Sequence, residues 1–182
     1  MGVVTDARIH RFDAAGLYTA LDARRTGLGL SWKQVADQLW LLSSELNERR
    51  HDHPISPSTL TSMAAKPRTS CQHALFMLRW LDRTPESFLD GMVGGDGPRY
   101  ALPPAGPDRR LRWSLKLLWA VMDEQRRREG LTWRQLAGVL GCSPNQLTGL
   151  RTARFATGMD VAMRVAQWTG RPAADFVYPA RW

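Results

Sequence analysis

The chain has 182 residues, of which 43% are hydrophobic, so it is long enough to form one or two domains with their own cores. No run of about 18 apolar residues predicts a transmembrane helix, and the polar N-terminus lacks an apolar signal core, which predicts a cytoplasmic protein. The formal net charge of +8 favours a polyanionic partner, and two cysteines are too few for a disulfide framework.

Short amphipathic helices separated by turns are predicted in the first half of the chain, after an irregular arm over residues 1–12. Apolar residues at helical spacing indicate five segments. They cover about 13–25, Ser31 toward Arg50, Pro57–Ala65, Cys71–Leu81 and Pro85–Leu89.

Glycine and proline are concentrated over residues 91–107, which predicts a linker between two domains. After it, Asp108 is expected to cap a long helix that continues to about Glu129. Further helical segments are predicted over about Met159–Trp168 and Pro172–Val177. Because no long alternation of apolar and polar residues is present, we predict an all-α fold.

The stretch Leu131–Arg151 has the pattern of two short helices joined by a tight turn. Thr132 and Gln135 have the spacing of a capping box at the start of the first helix. Gly141 follows its last apolar position, where a left-handed residue is favoured, and Ser143–Pro144 begins a second helix. This arrangement is typical of a helix-turn-helix, whose second helix enters the major groove of DNA.

The same pattern occurs earlier in the chain, which indicates an internal duplication. Ser31–Ala36 aligns with Thr132–Ala137 at an offset of 101, and Ser56–Met63 aligns with Ser143–Leu150 at an offset of 87. The difference of 14 residues predicts an insertion in the first copy, between its two motif helices.

These copies resemble the phage-repressor-like (XRE, lambda-repressor-like) helix-turn-helix domain. The resemblance implies two tandem domains of four to five helices each, 13–90 with an insertion at about 41–54 and 108–178, joined by the linker 91–107. It also implies a sequence-specific double-stranded DNA-binding protein, since that family mostly comprises transcription regulators. The chain differs from the family pattern where tryptophan or proline stands in place of glutamine, at Trp32, Trp133, Pro57 and Pro144.

The outward residues near the start of each second motif helix are the candidate base readers. They are Asn145, Gln146, Thr148 and Gly149 in the second copy, and Ser58, Thr59, Thr61 and Ser62 in the first. Asn and Gln form two hydrogen bonds with adenine, whereas Ser and Thr discriminate less between bases. The second copy is therefore expected to read sequence better than the first.

Phosphate contacts, which give affinity and register rather than sequence, are expected from helix caps and basic residues around each motif. They are Thr132, Arg134, Arg151 and Arg154 in the second copy, and Lys33, Lys66 and Arg68 in the first. Residues 1–95 hold 11 basic and 10 acidic residues, whereas residues 96–182 hold 14 and 7. This distribution predicts that the second copy is the main DNA binder.

A protein-interaction module, or an antitoxin-like regulator, is the competing interpretation. In it, the nearly neutral first copy or its insertion binds a protein partner, through apolar residues such as Leu42 and Leu46. A homodimer is left open as well. No catalytic motif is present and no cofactor is expected. The spacing of the histidines and the nearby cysteine matches no strong zinc pattern, so no metal site is expected at His51, His53, Cys71 and His73.

Overall fold

The computed structural model describes residues 8–152 and 157–182, which form nine α-helices, three short 3-10 helices and one two-stranded antiparallel sheet. None of these helices is long and apolar enough to cross a bilayer. The described residues are thus mainly helical, as predicted, but the all-α prediction did not include the sheet.

Five helices and a 3-10 helix make up the first half. They are α1 (Ala14–Gly27), α2 (Trp32–Leu41), α3 (Ser44–Arg50), α4 (Pro57–Ser62), α5 (Cys71–Leu81) and the 3-10 helix Pro85–Phe88. Four of the helices begin at a polar residue whose side chain accepts a backbone N–H of the first turn. These caps are Asp13, Ser31, Ser56 and Ser70.

The helix that was predicted to continue from Ser31 toward Arg50 ends at Leu41, so that prediction is wrong beyond this residue. Ser43 has φ −133° between α2 and α3, and its hydroxyl donates to the carbonyl oxygen of Arg109 at 2.7 Å. A contact with a distant part of the chain therefore interrupts a helix that the local sequence favours.

Four helices, two 3-10 helices and the sheet make up the second half. They are the 3-10 helix Pro98–Tyr100, β1 (Arg110–Trp113), α6 (Leu115–Arg128), α7 (Trp133–Leu140), α8 (Pro144–Gly149), α9 (Met159–Trp168), the 3-10 helix Ala173–Phe176 and β2 (Val177–Ala180). The motif helices α7 and α8 begin at the predicted caps, Thr132 and Ser143.

A helix beginning at Asp108 is a wrong prediction, because residues 110–113 form β1 instead. β1 pairs antiparallel with β2, so that Arg110 lies opposite Ala180 and Trp113 opposite Val177. Ser114, which follows β1, caps α6 through its side chain. A four-residue strand is too short to show a period-two pattern, and the apolar residues Leu111 and Leu115 have helical spacing by coincidence.

The duplication predicted from the sequence is visible in equivalent contacts of the two halves. α1 and α6 are both 14 residues long and begin 101 positions apart. The backbone N–H of Asp13 donates to Phe88, and the N–H of Ser114 donates to Phe176, each at 2.7 Å. The entry to the first helix and the exit from the last turn are therefore joined in the same way in both halves.

A local two-fold axis relates the halves where they meet. Ser70 and Gly158, which begin α5 and α9 respectively, form an antiparallel bridge. The two hydrogen bonds around it run from Cys71 N–H to Thr157 (2.9 Å) and from Met159 N–H to Thr69 (3.0 Å). Because equivalent residues exchange equivalent hydrogen bonds, the pairing is symmetric, as in an antiparallel pair of identical segments.

Each half also extends its entry segment onto the last helix of the other half. The side-chain amide of Gln72 in α5 donates to Leu111 in β1 at 2.9 Å. Reciprocally, the backbone N–H of Phe12 donates to Asp160 in α9 at 3.1 Å, and Gln167 exchanges hydrogen bonds with the backbone of His10. One hydrophobic cluster of buried residues consequently runs through both halves.

The glycine- and proline-rich segment 91–107 packs along the surface of the first half. Thr84 donates its hydroxyl to Gly95, and Arg79 donates to the carbonyl oxygen of Ala105. A Cβ on Gly95 would lie 2.6 Å from the backbone carbonyl carbon of Glu86, so the close approach requires glycine. These contacts make the segment part of the folded structure.

The 41–54 insertion covers the outer side of β1. Leu46 is 2% exposed, and the guanidinium of Arg110 donates to Asn47 and forms an ion pair with Asp52. Of the two apolar residues that suggested a protein partner at this insertion, Leu46 is therefore buried within the same chain and Leu42 is half-buried against the core.

Candidate nucleic-acid interface

α7 and α8 are two short helices joined by a tight turn, at the positions that the sequence predicts for the motif. Thr132 and Gln135 complete a capping box at the start of α7, and Gly141 ends it at φ 62°. Ser143 caps α8, with Pro144 at the first helical position. Four leucines fix the two helices against the core at 0–2% exposure, and they are Leu136, Leu140, Leu147 and Leu150. The remaining faces of α8 point to solvent.

All four predicted base readers are exposed on the solvent side of α8. Asn145, Thr148 and Gly149 are exposed. Within residues 8–152 and 157–182 the side chain of Asn145 makes no hydrogen bond, whereas the hydroxyl of Thr148 donates to Pro144 at 3.2 Å. A Cβ on Gly149 would have open space around it. Asn145 is thus the amide on this face with both its donor and its acceptor available.

Gln146 is also exposed, but its amide oxygen is engaged locally. This oxygen accepts the backbone N–H of Ser143 at 2.8 Å, and the hydroxyl of Ser143 accepts the N–H of Gln146 at 3.3 Å. Pairing with adenine through both amide atoms would require this capping box to open. The structure therefore favours a helix-capping role for Gln146, which the sequence analysis did not consider.

The corresponding face of α4 has its hydroxyls committed to local hydrogen bonds. The hydroxyl of Ser56 contacts those of Ser58 and Thr59 at 2.8 and 2.9 Å. Thr61 donates to the carbonyl oxygen of Ser58, and Ser62 donates to that of Thr59. This face offers fewer unengaged polar atoms than α8 does.

The cations at the start of α2 and α7 differ in their surroundings. Lys33 forms an exposed ion pair with Asp37 at 2.9 Å. Its equivalent in α7 is the exposed Arg134, and Gly138 stands where the acidic partner would be. In the part of the chain that the structure describes, Arg134 has no ion-pair partner. In the second half, therefore, no neighbouring carboxylate among the described residues compensates the positive charge at this position.

A stack of two tryptophans beside the motif contacts two arginines. Trp119 in α6 and Trp133 in α7 stack with ring centroids 6.2 Å apart. The guanidinium of Arg126 lies 4.3 Å from the ring centroid of Trp133, and that of Arg151 lies 5.4 Å from the ring centroid of Trp119. This cation–π contact holds the exposed Arg151 against Trp119 of α6 without neutralising its charge.

The first half repeats only part of this stack. Tyr18 stacks on Trp32 at 5.4 Å, and Arg25 lies 5.0 Å from the ring centroid of Trp32. Ala64 occupies the position that is equivalent to Arg151 at an offset of 87. Trp119 was not predicted from the sequence as part of the site, although its repeated spacing from the motif tryptophan was a usable signal.

The remaining predicted phosphate contacts have mixed outcomes. The hydroxyl of Thr132 is engaged with Gln135 as donor and acceptor, which makes it a helix cap. Lys66 and Arg68 are exposed in the loop after α4, and their side chains donate no hydrogen bond to the described ranges. Arg154 lies outside the described residues.

Comparison with known proteins adds no assignment to this geometry. No family model, no curated protein and no solved structure matches the chain.

Proposed function

We propose that the chain is a sequence-specific double-stranded DNA-binding protein, a regulator of transcription, whose second half is the main DNA-binding surface. The observation that carries this proposal is the solvent face of α8, where the amide of Asn145 is unengaged by the described residues, together with the exposed Arg134 in α7 and Arg151 just after α8. An amide on such a helix matches the hydrogen-bonding edge of adenine in the major groove. Arginines at its flanks supply phosphate contacts.

The distribution of charge supports the same assignment. Nearly all of the positive excess belongs to residues 96–182, which hold 14 basic and 7 acidic residues. In the first half, the cation at the start of α2 is paired with Asp37 and the equivalent of Arg151 is an alanine. Affinity for a polyanion should therefore come mainly from the second half.

The two-fold relation between the halves suggests how one chain would meet its site. α4 ends eight residues before Ser70 and α8 ends nine residues before Gly158, the two residues paired across the local axis. We propose that the same axis relates the two reading helices, so that their orientations on a duplex would be opposite. We infer a target of two unlike half-sites in inverted orientation, roughly 34 Å apart, bound by a single chain.

The test begins with selection of bound duplexes from a random library, followed by fluorescence anisotropy over a salt series. We expect a selected duplex to bind one chain per site. Asn145→Ala should relax base preference at one position by about 1–3 kcal/mol. Arg134→Ala and Arg151→Ala should weaken all duplexes and each reduce the salt slope by about 1.

Lys33→Ala is the matched control from the first half, and we expect it to change binding less than Arg134→Ala because its charge is already paired. The proposal fails if the purified chain binds no duplex at low ionic strength. It also fails if Asn145→Ala leaves base preference unchanged.

A further inference from the structure

A cleft of about 240 Å³ lies between the two halves, separate from the motif helices. Its apolar walls include Leu89 and Met92 from the first half and Met163 and Ala166 from α9. Pocket volumes for drug-sized ligands are roughly 300–1,000 Å³. The cleft therefore has the size of a smaller metabolite.

Glu86 lines this cleft as a buried acid with one unsatisfied oxygen. The residue is 4% exposed, and its Oε1 accepts the backbone N–H of Ala173 at 2.6 Å. Its Oε2 is buried and has no hydrogen-bond partner among the described residues. A buried carboxylate oxygen without a partner is costly, so a hydrogen-bond donor that reached this atom from the cleft would be stabilising.

Burial raises the pKa of Glu86, while its hydrogen bond with Ala173 and the charge of Arg99 lower it and the charge of Asp175 raises it. Desolvation is the largest of these effects, which means that the ionised carboxylate lacks stabilisation in the unliganded chain. A cationic donor in the cleft would supply that stabilisation directly.

Arginines line the same cleft. Arg99 donates to the carbonyl oxygen of Gly170 at 3.2 Å, and its guanidinium lies 5.7 Å from the ring centroid of Tyr100. Arg171 is exposed and forms no ion pair within the described ranges. An acid, apolar walls and three arginines, Arg8, Arg99 and Arg171, thus share one small cavity.

We propose that this cleft binds a free α-amino acid with an apolar side chain. The ammonium group would donate to Oε2 of Glu86, and the carboxylate would lie against Arg99 and Arg171. The side chain would pack on Met92 and Met163. A simple anion would leave Glu86 unsatisfied and be repelled by it, and a simple amine would leave the arginines unused, whereas a zwitterion matches both charges.

The experiment measures binding of L-leucine and L-methionine to the full chain by calorimetry, at concentrations up to about 10 mM, since weak metabolite binding falls near 1 mM. Two comparators separate the charges, because leucinamide lacks the carboxylate and 4-methylpentanoate lacks the ammonium group. We expect saturable binding of at least one amino acid, with its matching comparators about tenfold weaker or more.

Two variants test the named contacts. Glu86→Gln keeps an oxygen for the N–H of Ala173 but replaces the acceptor that faces the ammonium, and Arg171→Ala removes a carboxylate partner. Each should reduce affinity about tenfold or more. Lys116→Ala, an exposed charge in α6 outside the cleft, is the control and should bind as the parent chain does.

Absence of saturable binding by both amino acids would overturn the proposal, as would equal binding of 4-methylpentanoate or undiminished affinity in both variants. If Glu86→Gln does not fold, Arg171→Ala and the comparators decide the outcome. DNA binding is measured separately on the same preparations. Failure of this proposal leaves the DNA-binding result standing, and the converse also holds.

Discussion

Arg126 joins three parts of the second half through one side chain. It forms an ion pair with the buried Asp123 at 2.7 Å, donates to the carbonyl oxygen of Leu131 at 2.6 Å and lies over Trp133. Arg25 makes the same set of contacts with Asp22, Leu30 and Trp32 in the first half. The repeated arginine therefore links the first helix of each half to the start of the motif helix that follows.

Arg126→Ala should destabilise the chain by about 2–4 kcal/mol, because Asp123 is 4% exposed and would lose its buried partner. Arg127 also contacts Asp123, which limits the loss. Urea unfolding followed by circular dichroism measures the effect. Arg128→Ala removes an exposed pair with Glu124 and should cost less than about 1 kcal/mol. Equal losses in the two variants would contradict this role for Arg126.

Glu86 should make stability depend on pH in a defined direction. Its folded-state pKa is raised above the ordinary value of 4.5, so the folded chain holds its proton more tightly than the unfolded chain. The resulting stability is present below pH 4.5 and is lost as the pH rises through the folded-state pKa. Urea unfolding of the parent chain and of Glu86→Gln over a pH series measures the difference. A difference that stays constant with pH would refute the prediction.

At the scale of elements, the turn between α7 and α8 depends on a left-handed residue and on a distant arginine. Gly141 has φ 62°, and Arg164 in α9 donates to the carbonyl oxygens of Leu140 (2.9 Å) and Gly141 (2.7 Å). The carbonyl groups at the end of α7 are thereby satisfied, which fixes the position of α8.

Gly141→Ala should lower stability by about 1 kcal/mol, because alanine is strained at positive φ and its Cβ would lie 3.0 Å from Arg164. Gly138→Ala, in the same helix but with open space around its Cβ, should raise stability by up to about 1 kcal/mol. Thermal unfolding distinguishes the two. The same sign of change in both variants would contradict the assigned conformation of the turn.

Helix ends could be predicted where the signal was local. α5, α7 and α8 begin at the predicted residues because a serine or threonine cap directly precedes each of them. β1 and the break before α3 depend on partners far along the chain, such as Ala180 opposite Arg110 and Arg109 opposite Ser43. Local propensity carries no information about those partners.

The features of the candidate site likewise fall into those that the local sequence predicts and those that depend on packing between distant segments. Exposure of Asn145 and Arg134 followed from helical spacing alone. Engagement of Gln146 in a capping box was readable in principle, because the Ser–Pro–Asn–Gln spacing fits that motif, but the amide was interpreted only as a base reader. The Trp119–Trp133 stack required the packing of α6 on α7, which no single segment specifies.

At the scale of the whole molecule, the two halves interlock. The buried Arg110 of the second half donates to Asn47 of the insertion, and the entry segments cross to the opposite last helices. The repeat in the sequence indicated two copies, but it contained no information about this reciprocal packing.

Because one buried cluster spans both halves, we predict a single cooperative unfolding transition for the full chain. Tryptophan fluorescence and far-ultraviolet circular dichroism should give the same midpoint in urea. Removing the cross-half contact with Arg110→Ala should shift both probes together, by about 3 kcal/mol, because the guanidinium is buried. Two separate transitions would mean that the halves fold independently.

Because the two-fold-related halves belong to one chain, they stay together even when the molecule is present at low copy number. A pair of separate subunits falls apart on dilution, whereas this pair is held at a fixed ratio within one chain. The insertion occurs only in the first half, and Arg134 and Arg151 of the second half have no arginine at the equivalent positions of the first. The molecule therefore has a built-in polarity, and a duplex bound by it would acquire a distinguishable left and right.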